Sequence, residues 1–289
     1  MADDTSTHAV RPRPGLFRAL GDDAPPEQID VAGQTCQRLA ILKHDSFAAT
    51  ALYQGRDGKI IAKFNRMAPI FGLPMRWLGR ALARRESTVL DRLHGIEGIP
   101  RSAGPVRVAG LPAPHATAHH YIEGHPLAGG ERVDDAFFPT LVDLLRQVHA
   151  RGVAHVDLNK RENIIVGDDG KPNLIDYQIH FALPRRWPGN SWPMRVVLRL
   201  LQRSDDYHLL KHRVRLRPDQ MPEGQRDMDA LRPWWIRGWR CIATPWRQGR
   251  RRLLVALHVR SGEGRAESEH EPEAAFRGGG DSQTPSSHG

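Results

Sequence analysis

The chain reads as an α+β protein, rich in strands in its first half and mostly helical in its second. Three observations point there. Short apolar runs bounded by turn signals crowd residues 36–65 and recur at 105–122. One amphipathic helical pattern interrupts them within residues 75–95. A second helical pattern at 137–152 opens a stretch whose only strand signal is one hairpin. With 289 residues the chain can form one large domain or two small lobes.

Residues 1–34 are polar and carry Pro12, Pro14, Pro25 and Pro26; they read as a flexible arm with a short helix around LFRAL. CQRLAILK, ATALYQG and KIIAKFN follow as strands, the last two joined in a hairpin closed around Asp57-Gly58. Within MRWLGRALARRESTVLDRLHG, a turn of about 100° per residue puts Leu78, Leu82, Val89 and Leu93 on one side. Glu86 falls on that same stripe, so a carboxylate is expected on the buried face. PVRVAGL and HATAHHYI read as further strands and end at Glu123-Gly124, closing a strand-rich unit over 35–124. FFPTLVDLLRQVHARG spaces Leu141, Leu144, Leu145 and Val148 helically, with Gly152 as the stop, and begins the helical unit over 125–260. Residues 261–289 hold one aromatic among glycines and charges, too little apolar surface to order a chain, and read as disordered.

A formal charge of +9 and a pI near 10.1 call for an anionic partner. Cys36 and Cys241 have neither disulfide-framework nor zinc-ligand spacing, which fits a reducing compartment. No apolar run reaches the roughly 18 residues of a membrane span, and the N-terminus does not resemble a signal peptide. A cytoplasmic location is expected.

The segment HVDLNKRENIIVGDDGKPNLIDY, residues 155–177, sets Asp157 and Asp176 beside two apolar runs. An acid there needs a cation, a proton or a metal, because an isolated buried charge costs several kcal/mol. A hairpin of NIIVGDD and KPNLID would bring Asn163 near Asp176. Two oxygen ligands and a separate acid suit a magnesium-phosphate site, since Mg²⁺ takes few protein oxygens plus phosphate oxygens. Taken singly, Asp157 reads better as a helix cap or turn residue, and Glu123-Gly124 fits a plain loop as well as any binding role.

Together these residues resemble the protein-kinase-like superfamily. His155-Val156-Asp157 resembles its HRD element, Asn163 the metal-binding asparagine of the catalytic loop, and Asp176-Tyr177-Gln178 the DFG element. Lys63 in IIAKF resembles the strand lysine, and Glu86 its helix partner. The resemblance implies a two-lobed fold, with a small β-rich N-lobe and a reduced helical C-lobe. It implies that Asp157 orients or deprotonates an acceptor hydroxyl, that Asn163 and Asp176 hold Mg²⁺, and that Lys63, paired with Glu86, grips the phosphates of ATP. Glu123 would mark the hinge that meets adenine, and Lys160 would be a phosphate cation beside Asp157. Independently of the resemblance, a Glu on an inward helix stripe needs a cation, and the Lys on the preceding apolar strand is the available one. His155 is expected to pack and hydrogen-bond the loop rather than transfer protons.

Departures from the family pattern are as specific. DLNKREN has one residue more between Asp157 and Asn163 than the family loop. Lys43, Asp45 and Ala48 stand at the positions of the glycine-rich loop, and Val156 replaces the HRD arginine. No A-P-E element follows, so activation gated by phosphorylation is not expected. The pattern is similar to minimal bacterial kinases, among them the lipopolysaccharide core sugar kinases and the RIO-like atypical Ser/Thr protein kinases.

From Arg185 to Arg260 there are eighteen Arg or Lys against six Asp or Glu, and six of the seven tryptophans. Such a segment can lie on an anionic bilayer or pack as an ordinary helical lobe. The first use suits peripheral contact with the inner face of the cytoplasmic membrane and a glycolipid sugar as acceptor; a Ser/Thr protein acceptor and a pseudokinase scaffold are the alternatives. Nothing in the segment specifies nucleic-acid sequence recognition, and no nucleic-acid partner is expected.

Overall fold

The computed structural model of the chain describes residues 15–70, 72–184 and 191–222. The segment LRPWWIRGWRCIATPWRQGRRRLL and the tail at 261–289 lie outside the described residues, as do residues 1–14. After a 3-10 turn at Gly15–Phe17 come β1 (Gln28–Val31), β2 (Gln34–His44), β3 (Ala48–Gly55) and β4 (Gly58–Asn65), then α1 (Arg76–Arg92), β5 (Val106–Val108), β6 (Leu111–Pro112) and β7 (Ala116–His120). The second half runs β8 (Gly124–Pro126), α2 (Phe137–Ala150), β9 (Val153–Ala154), β10 (Ile164–Gly167), β11 (Pro172–Leu174), β12 (Phe181–Ala182) and α3 (Trp192–Leu216). The class is α+β. Among the described residues no helix is long and apolar enough to cross a membrane.

The first seven strands form one antiparallel sheet in the order β6-β5-β1-β2-β3-β4-β7. Gly55 pairs with Gly58 across Arg56-Asp57, the hairpin the sequence predicts. The sheet curls: the Ala103 N–H donates to Ala118 O at 2.9 Å and the His120 N–H to Arg101 O at 2.8 Å, drawing the approach to β5 against β7. Such a curl shelters edge groups that would otherwise stand open.

Strand periodicity then places the site. Ile60, Ala62 and Phe64 of β4 pack into one apolar cluster with Ile29, Val31, Ala51 and Tyr53. Ile61 packs with Leu42 and Leu52 in a separate cluster, so by alternation Lys63 projects to the Ile61 side of the sheet. Helix α1 lies against β4 and β7 and presents Gly79, Ala83, Glu86, Val89 and Leu90 inward. The expected Leu78–Leu82 end of the stripe is only half-buried. The reason is close approach: a Cβ on Gly79 would collide with the carbonyl oxygen of Arg66, so small residues rather than leucines face the sheet there.

The sheet also claims part of the predicted arm. β1 pairs with β2 and β5, Tyr53 Oη donates to Pro26 O at 2.7 Å, and the Met67 and Ala68 amides donate to Ala19 O. The ordered unit therefore begins well before residue 35. Four strand residues between prolines and a glycine are too few to show periodicity, and their pairing is with strands far along the chain.

The second half is built on the expected stripe of α2, with Leu141, Leu144, Leu145 and Val148 all buried. They pack with Val89 and Leu90 of α1 and Leu93 just after it, with Ile164, Val166 and Leu174 of the β10–β11 hairpin, and with Leu209 of α3. β10 also pairs with β8, and β9 with β12. Gly124 opens β8 at φ 150°, where a side chain would strike Val166 O.

Candidate active site

Lys63 is the centre of the site. Its Nζ lies 3.2 Å from Glu86 Oε1 and 3.1 Å from Asp176 Oδ1, and its side chain is 4% exposed. β4, α1 and the segment after β11 thus converge on one ammonium. The buried Thr117 hydroxyl donates to Glu86 Oε2 at 3.3 Å, fixing the second oxygen of that carboxylate. Burial alone would raise the Asp176 carboxyl; the charge and hydrogen bond of Lys63, with the charges of Lys43 and His155, outweigh it and hold the group far below the usual carboxylate range. The Asp176 backbone sits at φ 62°, a conformation L-residues seldom adopt and one that a site must hold in place by other contacts.

The loop carrying Asp157 is held from behind by a residue that sequence reasoning missed. Asp205 of α3 is fully buried; it accepts the His155 N–H at 2.7 Å and the Val156 N–H at 2.8 Å, one on each carboxylate oxygen. His149 Nε2 lies 3.3 Å from the same carboxylate. These bonds brace Val156 at φ 72°, an outlier for a β-branched residue. His155 is buried, packs at a tilt against Tyr177 with ring centroids 4.7 Å apart, and bonds Ile175 O through Nε2 at 2.9 Å. It ties the Asp157 loop to the strand leading into Asp176, as its expected packing role requires. His212 of α3 bonds Leu158 O at 2.8 Å and fixes the loop's other side.

Within DLNKREN, Arg161–Asn163 form a one-turn 3-10 helix. Asn163 is buried and its Nδ2 donates to Asp157 O at 3.0 Å, while Ile175 N–H donates to Asn163 O at 3.0 Å. The loop therefore brings Asn163 between Asp157 and the strand that leads to Asp176. Lys160 Nζ pairs with Asp157 Oδ2 at 2.6 Å. Burial pulls the Lys160 ammonium down, but the hydrogen bond and charge of Asp157, with the charges of Asp176 and Glu162, hold it above its ordinary value. Among the described residues, no group of three or more His, Cys, Asp or Glu could hold a metal by itself. Asn163 and Asp176 offer one amide oxygen and one carboxylate, a donor set that fits Mg²⁺ only if phosphate or water oxygens complete the shell.

Two features depart from a phosphate cradle. In the turn between β2 and β3, Asp45 Oδ1 accepts the Phe47 and Ala48 N–H groups at 2.8 and 3.0 Å, and Asp45 Oδ2 pairs with Lys43 at 2.8 Å. The carboxylate takes up both of these backbone donors of the turn. Glu123 pairs with Lys59 at 2.9 Å, and its carbonyl accepts the Asp168 N–H at 3.2 Å; neither contact joins it to Lys63 or Asp176. Gln178 reaches across to Asn65 Oδ1 at 3.2 Å, a second link between the sheet and the segment after Asp176.

The structure thus gathers Lys63, Glu86 and Asp176 in one cluster and Asp157, Lys160 and Asn163 in an adjoining loop. It adds Asp205, Thr117 and Asp45. Comparison with models of protein families and with curated proteins finds no match to this chain.

Proposed function

We propose that this chain is an ATP-dependent phosphotransferase with a two-lobed, protein-kinase-like fold, moving the γ-phosphoryl group to a hydroxyl. The observation that carries the proposal is the buried Lys63 ammonium shared between Glu86 and Asp176 from three separate elements. One buried ammonium against two carboxylates leaves a net negative charge that a bound metal cation would neutralise. A metal–nucleotide brings such a cation: Lys63 would turn toward phosphate oxygens, and Asp176 would be released to the metal.

In this reading Asn163 Oδ1 and Asp176 hold Mg²⁺, which when bound neutralises charge on the phosphoryl oxygens. Asp157 Oδ1 has no hydrogen-bond partner among the described residues and faces the task of orienting the acceptor hydroxyl and accepting its proton. Lys160 pairs with Asp157 Oδ2 and supplies a cation to the transferring group. Asp205 holds the loop so that the two acids keep their separation, which is the kind of positioning phosphoryl transfer depends on. For the acceptor, the charge of +9 and the Arg- and Trp-rich stretch after Arg185 favour the sugar of an anionic glycolipid reached at the cytoplasmic membrane's inner face. A Ser/Thr protein acceptor is the next choice.

Asp45 favours a second reading, a pseudokinase scaffold, because its carboxylate fills the turn where phosphates would sit. One experiment separates these. Purified protein, Mg²⁺ and γ-labelled ATP are incubated with a bacterial membrane extract, with Asp157→Ala as the control. Label in glycolipid that requires Asp157 supports the sugar kinase, and label in protein the Ser/Thr kinase. Absence of Asp157-dependent label in either fraction overturns phosphotransfer to these acceptors and leaves the scaffold.

A further inference from the structure

Away from Lys63, the outer side of α1 forms an open groove of about 1240 Å³ with the segment that follows Asp176. Arg80, Arg84, Arg85 and Arg92 line the helix wall, one carboxylate, Asp91, stands among them, and His180 to Pro184 make the opposite wall. Four guanidiniums against one carboxylate is a strong local excess of positive charge. Two of the arginines are already fixed: Arg85 donates to His180 O, and Arg92 Nη1 donates to Leu183 O at 2.7 Å. They pin the far wall to the helix. Arg80 and Arg84 are one helical turn apart, exposed, and without an ion-pair partner among the described residues.

The surroundings register the same field. Burial first, then the charges of Arg85 and Arg92 among others, push His180 down to about 4. Burial first, then Arg80 and Arg76, lower His115. Guanidinium groups set in pairs favour oxyanions that can accept parallel hydrogen bonds, and phosphate is the multivalent case. The apolar Phe181, Ala182, Leu183 and Pro184 beside them leave room for the body that carries such a group.

We propose that this groove is a binding site for a ligand bearing clustered phosphates, held by Arg80 and Arg84 and separate from the Lys63 cluster. The ligand's phosphates would bridge the helix that carries Glu86 and the segment that leaves Asp176. The site does not depend on the chain being a phosphotransferase, because it is tested by binding alone.

The shared chemistry has two sources, a soluble polyphosphorylated compound and a phospholipid headgroup, so the experiment has two arms. Intact protein is titrated with inorganic tripolyphosphate by calorimetry, and sedimented with phosphatidylcholine vesicles with and without phosphatidylglycerol. Each arm is repeated with Arg80→Ala/Arg84→Ala and with Arg199→Ala/Arg203→Ala, a pair of exposed arginines on α3. A loss of at least about tenfold in affinity confined to the α1 pair is expected. Seen with tripolyphosphate, it assigns a soluble ligand; seen only with the phosphatidylglycerol vesicles, a headgroup. Equal weakening by both pairs would show general attraction to a basic protein and overturn the site. No binding in either arm would do the same.

Discussion

Glu86 and Asp205 are both carboxylates on the inward face of a helix, both buried, and they are satisfied in opposite ways. Glu86, on the sheet side, is met by a mobile charge, the ammonium of Lys63, with one hydroxyl in support. Asp205, on the helical side, is met by two fixed backbone N–H groups, those of His155 and Val156. A lysine can exchange one anion for another as a ligand enters; a backbone amide cannot leave without unfolding its loop. The first arrangement suits a group that changes partners as a ligand enters, and the second a loop that must stay where it is.

The sharpest break in that comparison is Lys63→Met. It leaves Glu86 buried without its cation and frees Asp176, at a cost of about 3–5 kcal/mol of stability. Phosphotransfer, if the proposed function holds, falls by about a thousandfold. Adding Glu86→Gln should restore most of the stability, measured by urea denaturation, and none of the activity. If the double variant is no more stable than the single one, Glu86 is not the group that Lys63 neutralises.

Asp205→Asn tests the fixed side. An amide has one acceptor oxygen where the carboxylate has two, so one of the two N–H groups loses its bond at about 1–3 kcal/mol. For the proposed phosphotransfer, misplacing Asp157 should lower kcat by about a hundredfold while the KM for ATP stays put, because Lys63 and Asp176 are untouched. A rise in KM with kcat preserved would instead make Asp205 part of nucleotide binding.

The same contrast explains what could be read before the fold was known. Lys63 and Glu86 were legible because each is a charge on an apolar pattern and the two answer each other. Asp157, Asn163 and Asp176 were legible from spacing within a single hairpin, a local feature. Asp205 carries the same signal as Glu86, since Leu198, Asp205, Leu209 and His212 recur along the buried face of α3, but its partners are backbone amides some fifty residues away, and amides leave no mark in a sequence. Strand β1 and the half-buried Leu78 and Leu82 depend on how closely the sheet approaches, which periodicity does not encode. The Asp45 turn shows the limit from the other side: the sequence shows a turn without glycines, yet only the geometry reveals that a carboxylate takes its backbone donors.

Asp45 combines both modes, paired with Lys43 and capped by two N–H groups. Replacing it by Ala frees two donors and removes a negative charge from the turn. For the proposed phosphotransfer, the KM for ATP should fall by about tenfold, with a smaller gain for Asp45→Asn, which keeps the acceptor oxygen and loses only the charge. An unchanged or higher KM in both variants would place the phosphates elsewhere and strengthen the scaffold reading.

The gentlest test concerns the other brace of the Asp157 loop. His212 is buried against Leu158 O, and burial, more than that bond or the neighbouring cations, sets its behaviour: its pKa is pushed down to about 4. Above the unfolded value of about 6.5 the ring is neutral in both states and its contribution is intact. As the pH falls from there toward about 4, the unfolded chain takes up a proton that the folded chain refuses, and stability drops by up to about 1.4 kcal/mol per pH unit. Below that the loss levels off. His212→Gln keeps a donor for Leu158 O and cannot titrate in this range, so the slope of folding free energy against pH between 6.5 and 4 should decrease by that amount. His180, also pushed down to about 4 by burial, contributes a similar slope and remains in the variant as an internal reference. A variant whose slope matches the parent would mean that His212 reaches water, and that the loop's rigidity comes from Asp205 alone.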